Sequence, residues 1–304
     1  MSNQTNAPRL ATNLDELDII LDQLFTEESW HHGLAFKPRP GDIFISPYAK
    51  CGTTWLQHIA HGLRTRGNMD FDEITTVTPW ISIAHDMNWD LEAEHIAQPR
   101  IYKSHMTWHD IPKGGRYICS FRHPADAFMS FYRFFENYYF EAGSISLEEL
   151  FYWRYPRENL AEKGYWYHLA SWWSQRKNPN VLLLCYEDMK ADLATTIKRI
   201  ATFMGINLDN ELFDIILRQS SREFMLEHMD KFDEAPFRRH AYNLGVLPFE
   251  VEGHKVTPGA SVKHKLSPQI EVELKNIWEE QITAKLGLKS YDDLRKRMQV
   301  KSRY

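Results

Sequence analysis

The chain has 304 residues, of which 43% are hydrophobic and 25% charged, a composition typical of a soluble globular protein with a sizeable core. Its formal net charge of −5 at pH 7 argues against a general nucleic-acid-binding protein, which is usually basic. The polar N-terminus lacks the apolar core of a signal peptide, and no apolar run approaches the roughly 20 residues that span a bilayer. We therefore expect a cytoplasmic protein with one domain over residues 1–304.

The three cysteines, at positions 51, 119 and 185, are widely spaced, and each lies in or beside an apolar, strand-like run. Their odd number and their spacing favour buried free thiols over disulfides or a metal site. The chain has no clustered spacing of metal ligands, so the sequence predicts no metal. Free thiols are typical of a reducing compartment, in agreement with a cytoplasmic location.

In chain order, the first predicted elements are an amphipathic helix over residues 13–25 and an aromatic loop over 27–36. A short buried strand over 42–45, a tight turn and a helix reaching Gly67 follow. The irregular stretch 68–98 is too long and too aromatic for a simple connector, which favours a binding loop.

The rest of the chain alternates short apolar runs with helical patterns. The predicted strands are 100–104, 117–121 and 181–186, and the predicted helices are 125–139, 147–153, 165–175, 193–204, 211–217 and 267–286. Residues 232–267 have little periodicity and several Pro and Gly residues, so we predict a long functional loop or lid there. This alternation predicts an α/β fold with a central parallel sheet flanked by helices.

The turn after the first strand reads Tyr-Ala-Lys-Cys-Gly-Thr-Thr-Trp, residues 48–55. A tight turn from a strand into a helix forms an anion site, because the first helical amides point outward and the dipole favours negative charge. Gly52 lets the backbone approach a ligand, and Lys50 adds a cation. The turn differs from a Walker A loop, in which the lysine follows the second glycine. Taken alone, it is equally consistent with an ordinary capped turn.

Residues 48–55 resemble the Tyr-Pro-Lys-Ser-Gly-Thr-Thr-Trp signature of cytosolic sulfotransferases, which use 3'-phosphoadenosine 5'-phosphosulfate (PAPS). Residues 103–105, Lys-Ser-His, resemble the family's Lys-Thr-His segment. Residues 122–130 resemble its Arg-Asn-Pro-Lys-Asp-x-x-x-Ser segment, and residues 220–225 its Thr-Ser-Phe-Lys-x-Met segment. Four matches in the family's order identify the chain as a divergent member, and its departures from the pattern favour a bacterial source.

The resemblance implies the nucleotide-binding sulfotransferase fold, with the ligand at the carboxyl ends of the strands. It also implies catalytic roles for His105, Lys50 and Lys103. His105 would be the general base, because a histidine with a pKa of about 6.5 can accept the proton of an acceptor hydroxyl. Lys50 would stabilise the leaving phosphate oxygen and Lys103 the sulfuryl oxygens. The implied cofactor-binding residues are Lys50, Cys51, Gly52, Thr53, Thr54, Trp55, Arg122, Ser130, Tyr186, Ser221 and Lys255.

The acceptor is predicted to be a small organic molecule, held by aromatic residues of the variable loops. The candidate residues are Phe36, Trp80, Ile81, Trp108, Phe134, Tyr139 and Phe140, each of which is equally consistent with the core. Acids crowd the same loops: Asp86, Asp90, Glu92, Glu94, Asp230, Asp233 and Glu234. Such acids are usually solvated, but any that face the pocket would favour an amine or guanidinium acceptor over a phenol, alcohol or glycolipid.

Two other function classes share strand–phosphate loop–helix units. A nucleotide-dependent kinase would need a Walker A loop and a magnesium-binding aspartate, and the sequence has neither. A non-catalytic adenine-nucleotide-binding protein would keep Lys50 and Arg122 but have no use for Lys103 and His105. Neither class accounts for all four matches, and the oligomeric state stays open.

Overall fold

Four short parallel strands form the central sheet of the computed structural model, which describes residues 8–155, 164–249 and 265–301. The strands are β1 Ile43–Ile45, β2 Ile101–Lys103, β3 Arg116–Phe121 and β4 Val181–Cys185. They lie in the order β2-β1-β3-β4, so β1 is hydrogen-bonded to β2 on one side and to β3 on the other. The predicted α/β class and all four predicted strands are confirmed.

Helices cover the sheet. Their bounds are α1 Leu14–Leu24, α2 Glu27–Ala35, α3 Thr53–Thr65, α4 Ile74–Val77, α5 Pro124–Tyr138, α6 Leu147–Arg154, α7 Tyr165–Ser174, α8 Tyr186–Ala191, α9 Leu193–Met204, α10 Asn210–Gln219, α11 Arg222–Glu227, α12 Ala235–Asn243, α13 Pro268–Ile277, α14 Ala284–Leu286 and α15 Tyr291–Lys301. A 3-10 turn, Met229–Phe232, precedes α12, and a π-helical turn, Trp278–Thr283, joins α13 to α14. None of the described helices combines the length and apolarity that a membrane span requires.

The aromatic loop predicted over residues 27–36 is wrong, because this segment is helix α2. Thr26 caps the helix by accepting a hydrogen bond from the Ser29 amide at 3.1 Å. The Thr26 hydroxyl in turn donates to Asp86 at 2.6 Å, which ties the start of α2 to the irregular stretch 68–98. This cap and the tertiary contact stabilise a helix whose apolar periodicity is weak.

The predicted lid over residues 232–267 is only partly irregular, because Ala235–Asn243 forms helix α12. Pro236 lies in its first turn, where a missing amide proton costs nothing. Residues 250–264 lie outside the described part of the chain. The predicted helix over 267–286 is confirmed and contains the π-helical turn, whereas α4, α8, α11 and α15 were not predicted.

The two faces of the sheet are packed differently, as alternating side chains of a strand require. Ile43 and Ile45 contribute to an aliphatic layer with α3, α9 and α10. Phe44 faces the opposite layer, where its ring lies 5.5 Å from Tyr102 and 5.5 Å from Tyr117. Because both faces are covered, β1 and β2 are fully buried, and β3 and β4 are buried at their carboxyl ends.

Three histidines in this core predict a loss of stability in acid. Their pKa values are low, about 4 for His58 and about 3 for His61 and His168, and burial is the main cause. These folded-state values lie below the ordinary 6.5, so the unfolded chain binds more protons as the pH falls below 6.5. At pH 5 each histidine should therefore lower the free energy of unfolding by up to about 2 kcal/mol. Above pH 7 it should not change this free energy.

Urea unfolding at pH 7.5 and at pH 5 measures this loss, which should amount to several kcal/mol. His168→Gln should reduce the pH dependence, because it removes a group that must stay neutral in the folded state. An unfolding free energy that is equal at the two pH values would contradict the burial of neutral histidines.

Candidate active site

The carboxyl ends of all four strands carry the residues that the sequence singled out. The loop of residues 46–52 follows β1, and Lys103 ends β2. Arg122 follows β3 directly, and Tyr186 begins the helix after β4. In a parallel sheet these ends lie along one edge, which is where α/β proteins bind ligands.

The loop between β1 and α3 has a fixed, unusual backbone. Lys50 and Gly52 both adopt positive φ angles, 65° and 101°. A Cβ atom on Gly52 would lie 3.0 Å from the Tyr186 ring, so glycine suits both the conformation and the space. The Arg122 guanidinium donates to the Lys50 carbonyl at 2.8 Å, and the Ser120 hydroxyl to the Cys51 carbonyl at 2.5 Å. These hydrogen bonds fix the loop carbonyls. No side chain caps the start of α3, so its first backbone amides can donate hydrogen bonds to a ligand.

Three buried polar atoms around this loop lack a hydrogen-bond partner among the described residues. They are Thr53 Oγ1, Arg122 Nε and Ser220 Oγ. Buried polar groups are normally paired, and fifteen side-chain atoms of the described residues are not. Thr53 begins α3, Arg122 donates to the loop before it, and the Ser220 carbonyl accepts from Trp55, so a polar ligand at this helix start could pair these three. A hydroxyl, a guanidinium nitrogen and the α3 amides are donors suited to phosphate oxygens, so the residues present fit a phosphorylated nucleotide.

Aromatic rings flank the same helix start. The Trp55 and Tyr186 rings lie 5.8 Å apart, edge to face, and the Trp55 indole donates to the Ser220 carbonyl at 2.8 Å. The Arg122 guanidinium lies over Tyr186, 4.4 Å from the ring centre. The Ser221 hydroxyl caps α11 by accepting from the Phe224 amide at 3.2 Å. Ser220, which sequence reasoning did not select, therefore offers the unpartnered hydroxyl on this side.

His105 follows β2 and lies beside Lys103 and Trp80. Its Nδ1 is 2.7 Å from the Pro47 carbonyl oxygen, which can only accept, so Nδ1 carries the proton and Nε2 the lone pair. Burial, reinforced by the Lys103 cation, lowers the pKa of His105 to about 3. At neutral pH the imidazole is therefore uncharged, with its lone pair on Nε2, but the same burial makes it a much weaker base than the histidine with a pKa of about 6.5 that the sequence predicts. The Trp80 ring packs edge-to-face against it at 5.1 Å.

Lys103 is buried and paired. Its Nζ lies 2.6 Å from Glu234 Oε1 and 3.9 Å from the centre of the Trp80 ring. The irregular stretch 68–98 runs beside β2, with Lys103 donating its amide to the Pro79 carbonyl and accepting from the Ile81 amide at 3.0 Å. This pairing fixes Trp80 above the lysine and beside His105.

The remaining predicted site residues are Lys50, Ser130, Lys255 and Cys51, and their surroundings differ. Lys50 Nζ lies 4.1 Å from the centre of the Phe134 ring, which places Phe134 beside the phosphate loop. Ser130 lies half-buried on the second turn of α5, and Lys255 lies outside the described residues. Cys51 is buried, and burial raises the pKa of its thiol to about 12, so it cannot serve as a nucleophile. All three cysteines are buried free thiols, as predicted.

The seven predicted acceptor-pocket residues lie in different surroundings. Trp80 and Phe134 contact the two lysines, and Tyr139 packs 5.9 Å from Phe134. Phe36 packs against Phe44 and Tyr102, and Phe140 packs against Tyr132. Trp108 is partly buried against Tyr117 and Trp172, and Ile81 is fully buried.

The acidic side of the site was only partly predictable. Glu234 was one of seven acids in the loops, and nothing in its spacing marked it as the partner of Lys103. Glu73, which is 1% exposed, was not selected; its carboxylate caps the short helix α4 by accepting from the Thr75 amide at 2.8 Å, and glutamate is not among the usual capping residues. Both residues, with Trp89 and Phe237, line one small cavity of about 10 Å³ beside Lys103 and Trp80.

Comparison with known proteins identifies the family. Residues 40–238 match the sequence model of the sulfotransferase domain, which covers well over half of the chain. The protein is a sulfotransferase. The predicted family membership and PAPS-dependent sulfuryl transfer are thereby confirmed.

Curated relatives agree with this assignment over most of their length. Guinea-pig sulfotransferase 1E1 is 29% identical over 243 residues, covering 75% of this chain and 77% of the relative. Rat sulfotransferase 2A1 is 31% identical over 201 residues, covering 64% of this chain and 69% of the relative.

Two solved structures share the fold of this sulfotransferase. Retinol dehydratase in complex with retinol and PAP superimposes with a TM-score of 0.65 at 16% identity, covering 90% of this chain and 96% of that one. Mouse sulfotransferase SULT7A1 complexed with PAP gives a TM-score of 0.62 at 19% identity, covering 92% and 95%. At these identities the likeness concerns the fold alone.

Proposed function

We propose that this sulfotransferase binds PAPS along the carboxyl edge of the sheet and transfers its sulfuryl group to a small-molecule acceptor beside His105. The observation that supports this most directly is the set of three unpartnered buried atoms, Thr53 Oγ1, Arg122 Nε and Ser220 Oγ, around the α3 start. Thr53 and Arg122 lie after β1 and β3, at the end of the sheet that also carries Lys103 and His105, and the Ser220 carbonyl accepts a hydrogen bond from Trp55 of α3.

The donor side would divide its contacts between two phosphate positions. The amides of α3, the Thr53 and Thr54 hydroxyls and Lys50 suit the 5'-phosphate. This phosphate is the leaving group, and its negative charge needs to be neutralised. Arg122 and Ser130 suit the 3'-phosphate, because a guanidinium offers a planar fork to phosphate oxygens. Trp55 and Tyr186 provide aromatic faces for adenine, and Lys255 completes the proposed set.

The reaction needs charge neutralisation and a base. When bound, PAPS supplies an activated sulfuryl group, and positioning plus electrostatics dominate such transfers. Lys50 would neutralise negative charge on the phosphate that leaves, and Lys103, which is paired with Glu234 in the structure, would contact the sulfuryl oxygens. His105 accepts the acceptor proton at Nε2, while its Nδ1–H stays on the Pro47 carbonyl.

The cysteines support a cytoplasmic location, and the turn after β1 disfavours a kinase. The three cysteines are buried and form no disulfide with one another, which agrees with a reducing compartment. A kinase is disfavoured, because the β1–α3 turn lacks the Walker A order of glycine and lysine.

Turnover with PAPS tests the proposal. The purified protein would be incubated with PAPS and a panel of small phenols, alcohols and amines, and PAP formation would be followed, with ATP in place of PAPS as the parallel reaction. We expect PAP to form from PAPS only when an acceptor is present, and no phosphoryl transfer from ATP. Transfer from ATP, or PAPS binding without turnover on any acceptor class, would favour the kinase or the non-catalytic alternative.

A further inference from the structure

Three side chains that can bind a metal ion meet where helix α2 packs against the irregular stretch 68–98. They are Glu28 and His32 of α2 and His85 of the stretch, and their ligand atoms all lie within 4.8 Å of one another. Glu28 and His32 are four residues apart in the helix, so they lie on one face of it. His85 comes from a distant part of the chain, which is why no spacing in the sequence predicted a metal.

His85 contacts both helix residues. Its Nε2 lies 3.3 Å from Glu28 Oε1, and its ring stacks on the His32 ring with the centres 4.0 Å apart and the planes 4° from parallel. All three side chains are exposed, so they can rotate. The ligand atoms of a tetrahedral zinc ion lie about 3.3 Å apart, and rotating the two rings out of parallel would turn a nitrogen of each toward one ion. The three ligand atoms are therefore within reach of a shared ion.

The backbone beneath these side chains is held by several contacts. Asp86, the neighbour of His85, accepts from the Thr26 hydroxyl at 2.6 Å and donates its amide to the Ser29 hydroxyl at 3.2 Å. Further along α2, a Cβ atom on Gly33 would lie 2.7 Å from a carbonyl oxygen of the stretch, so only glycine allows this close approach. Because both elements are already fixed relative to each other, binding an ion between them would order little more than three side chains.

We propose that Glu28, His32 and His85 form a binding site for a divalent transition-metal ion, with zinc as the best match. Two imidazoles and a carboxylate are a donor set that zinc accepts, whereas magnesium and calcium prefer oxygen ligands. Water would complete the coordination, since the three side chains are exposed. The bound ion would link α2 to the stretch that holds Trp80 over Lys103, and this inference does not rest on the proposed function.

Zinc binding tests the proposal. The purified full-length protein would be treated with a chelator, dialysed, and titrated with zinc at pH 7.5 in competition with a chromophoric chelator, with magnesium as the control ion. We expect one zinc ion per chain at micromolar affinity and no binding of magnesium at the same concentrations. Cobalt(II) in place of zinc should give the visible absorption of a four-coordinate ion. The absence of zinc binding at micromolar concentrations would overturn the proposal.

Variants identify the ligands, which is necessary because the chain has 14 histidines. His85→Ala and His32→Ala should each weaken zinc binding at least about tenfold, because each removes one of three protein ligands. His31→Ala is the matched control: it removes an exposed imidazole of the same helix that is not part of the cluster, and it should change the affinity less than about twofold. Equal affinities of the wild type and His85→Ala would overturn the assignment of the site.

Thermal unfolding gives a second measurement on the same proteins. An ion that binds only the folded chain stabilises it, so zinc should raise the melting temperature of the wild type and of His31→Ala but not that of His85→Ala. Since the replaced side chains are exposed, all three proteins should melt at nearly the same temperature without zinc. A zinc-induced rise of equal size in His85→Ala would show that the ion binds elsewhere and would overturn the proposal.

Discussion

Replacing His105 by alanine should lower kcat at least about a hundredfold, equivalent to roughly 3 kcal/mol or more, while leaving the affinity for PAP nearly unchanged. His105 is the described residue whose neutral imidazole lies beside Lys103 with its tautomer fixed by the Pro47 carbonyl at 2.7 Å. The variant removes the proton acceptor but none of the groups assigned to the phosphates. Steady-state kinetics with PAPS and an acceptor found in the panel, together with PAP calorimetry, measure both effects.

The matched control is His109→Ala, which removes an exposed imidazole four residues further along the chain. It should retain the wild-type kcat within about twofold. A His105→Ala enzyme with near-normal turnover would exclude His105 as the base. An equal loss of PAP affinity would indicate that His105 positions the donor instead.

The second large effect is expected at Arg122. Arg122→Ala should weaken PAP binding roughly a hundredfold, because it removes a charge-assisted fork and the hydrogen bond that holds the Lys50 carbonyl at 2.8 Å. Arg122→Lys should recover only part of the affinity, since an ammonium keeps the charge but not the planar geometry. Calorimetric titration of each variant with PAP gives the ratios.

Arg116→Ala is the control for this experiment. Arg116 begins the same strand at its opposite end, where its guanidinium packs 4.4 Å from the centre of the Phe203 ring. Its removal should leave PAP affinity within about threefold of wild type. If Arg122→Ala behaved like Arg116→Ala, the 3'-phosphate assignment would be wrong.

The parts of the fold that the sequence predicted are those specified by local patterns. The strand Ile43–Ile45 is a short apolar run, and the helix after it has apolar residues at helical spacing, so both could be predicted from their own residues. The parallel arrangement followed from the alternation of strands and helices, and it placed Lys50, Lys103 and Arg122 at one edge of the sheet.

The parts that were missed depend on contacts between distant segments. Helix α2 is stabilised by Thr26 and its hydrogen bond to Asp86, sixty residues away, and its apolar periodicity is weak. The pairing of Lys103 with Glu234 joins residues 131 positions apart, which no local spacing records. Aromatic residues such as Phe36 and Phe140 could not be divided between pocket and core, because both environments favour the same side chains.

One measurement tests the central claim most directly: calorimetric titration of the wild-type protein with PAP, with ATP as the competitor under the same conditions. If the unpartnered atoms at the α3 start and Arg122 hold a 3'-phosphorylated nucleotide, PAP should bind with micromolar affinity or better, and ATP at least about a hundredfold more weakly. Equal binding of the two nucleotides, or tighter binding of ATP, would contradict the assignment of this edge of the sheet to PAPS.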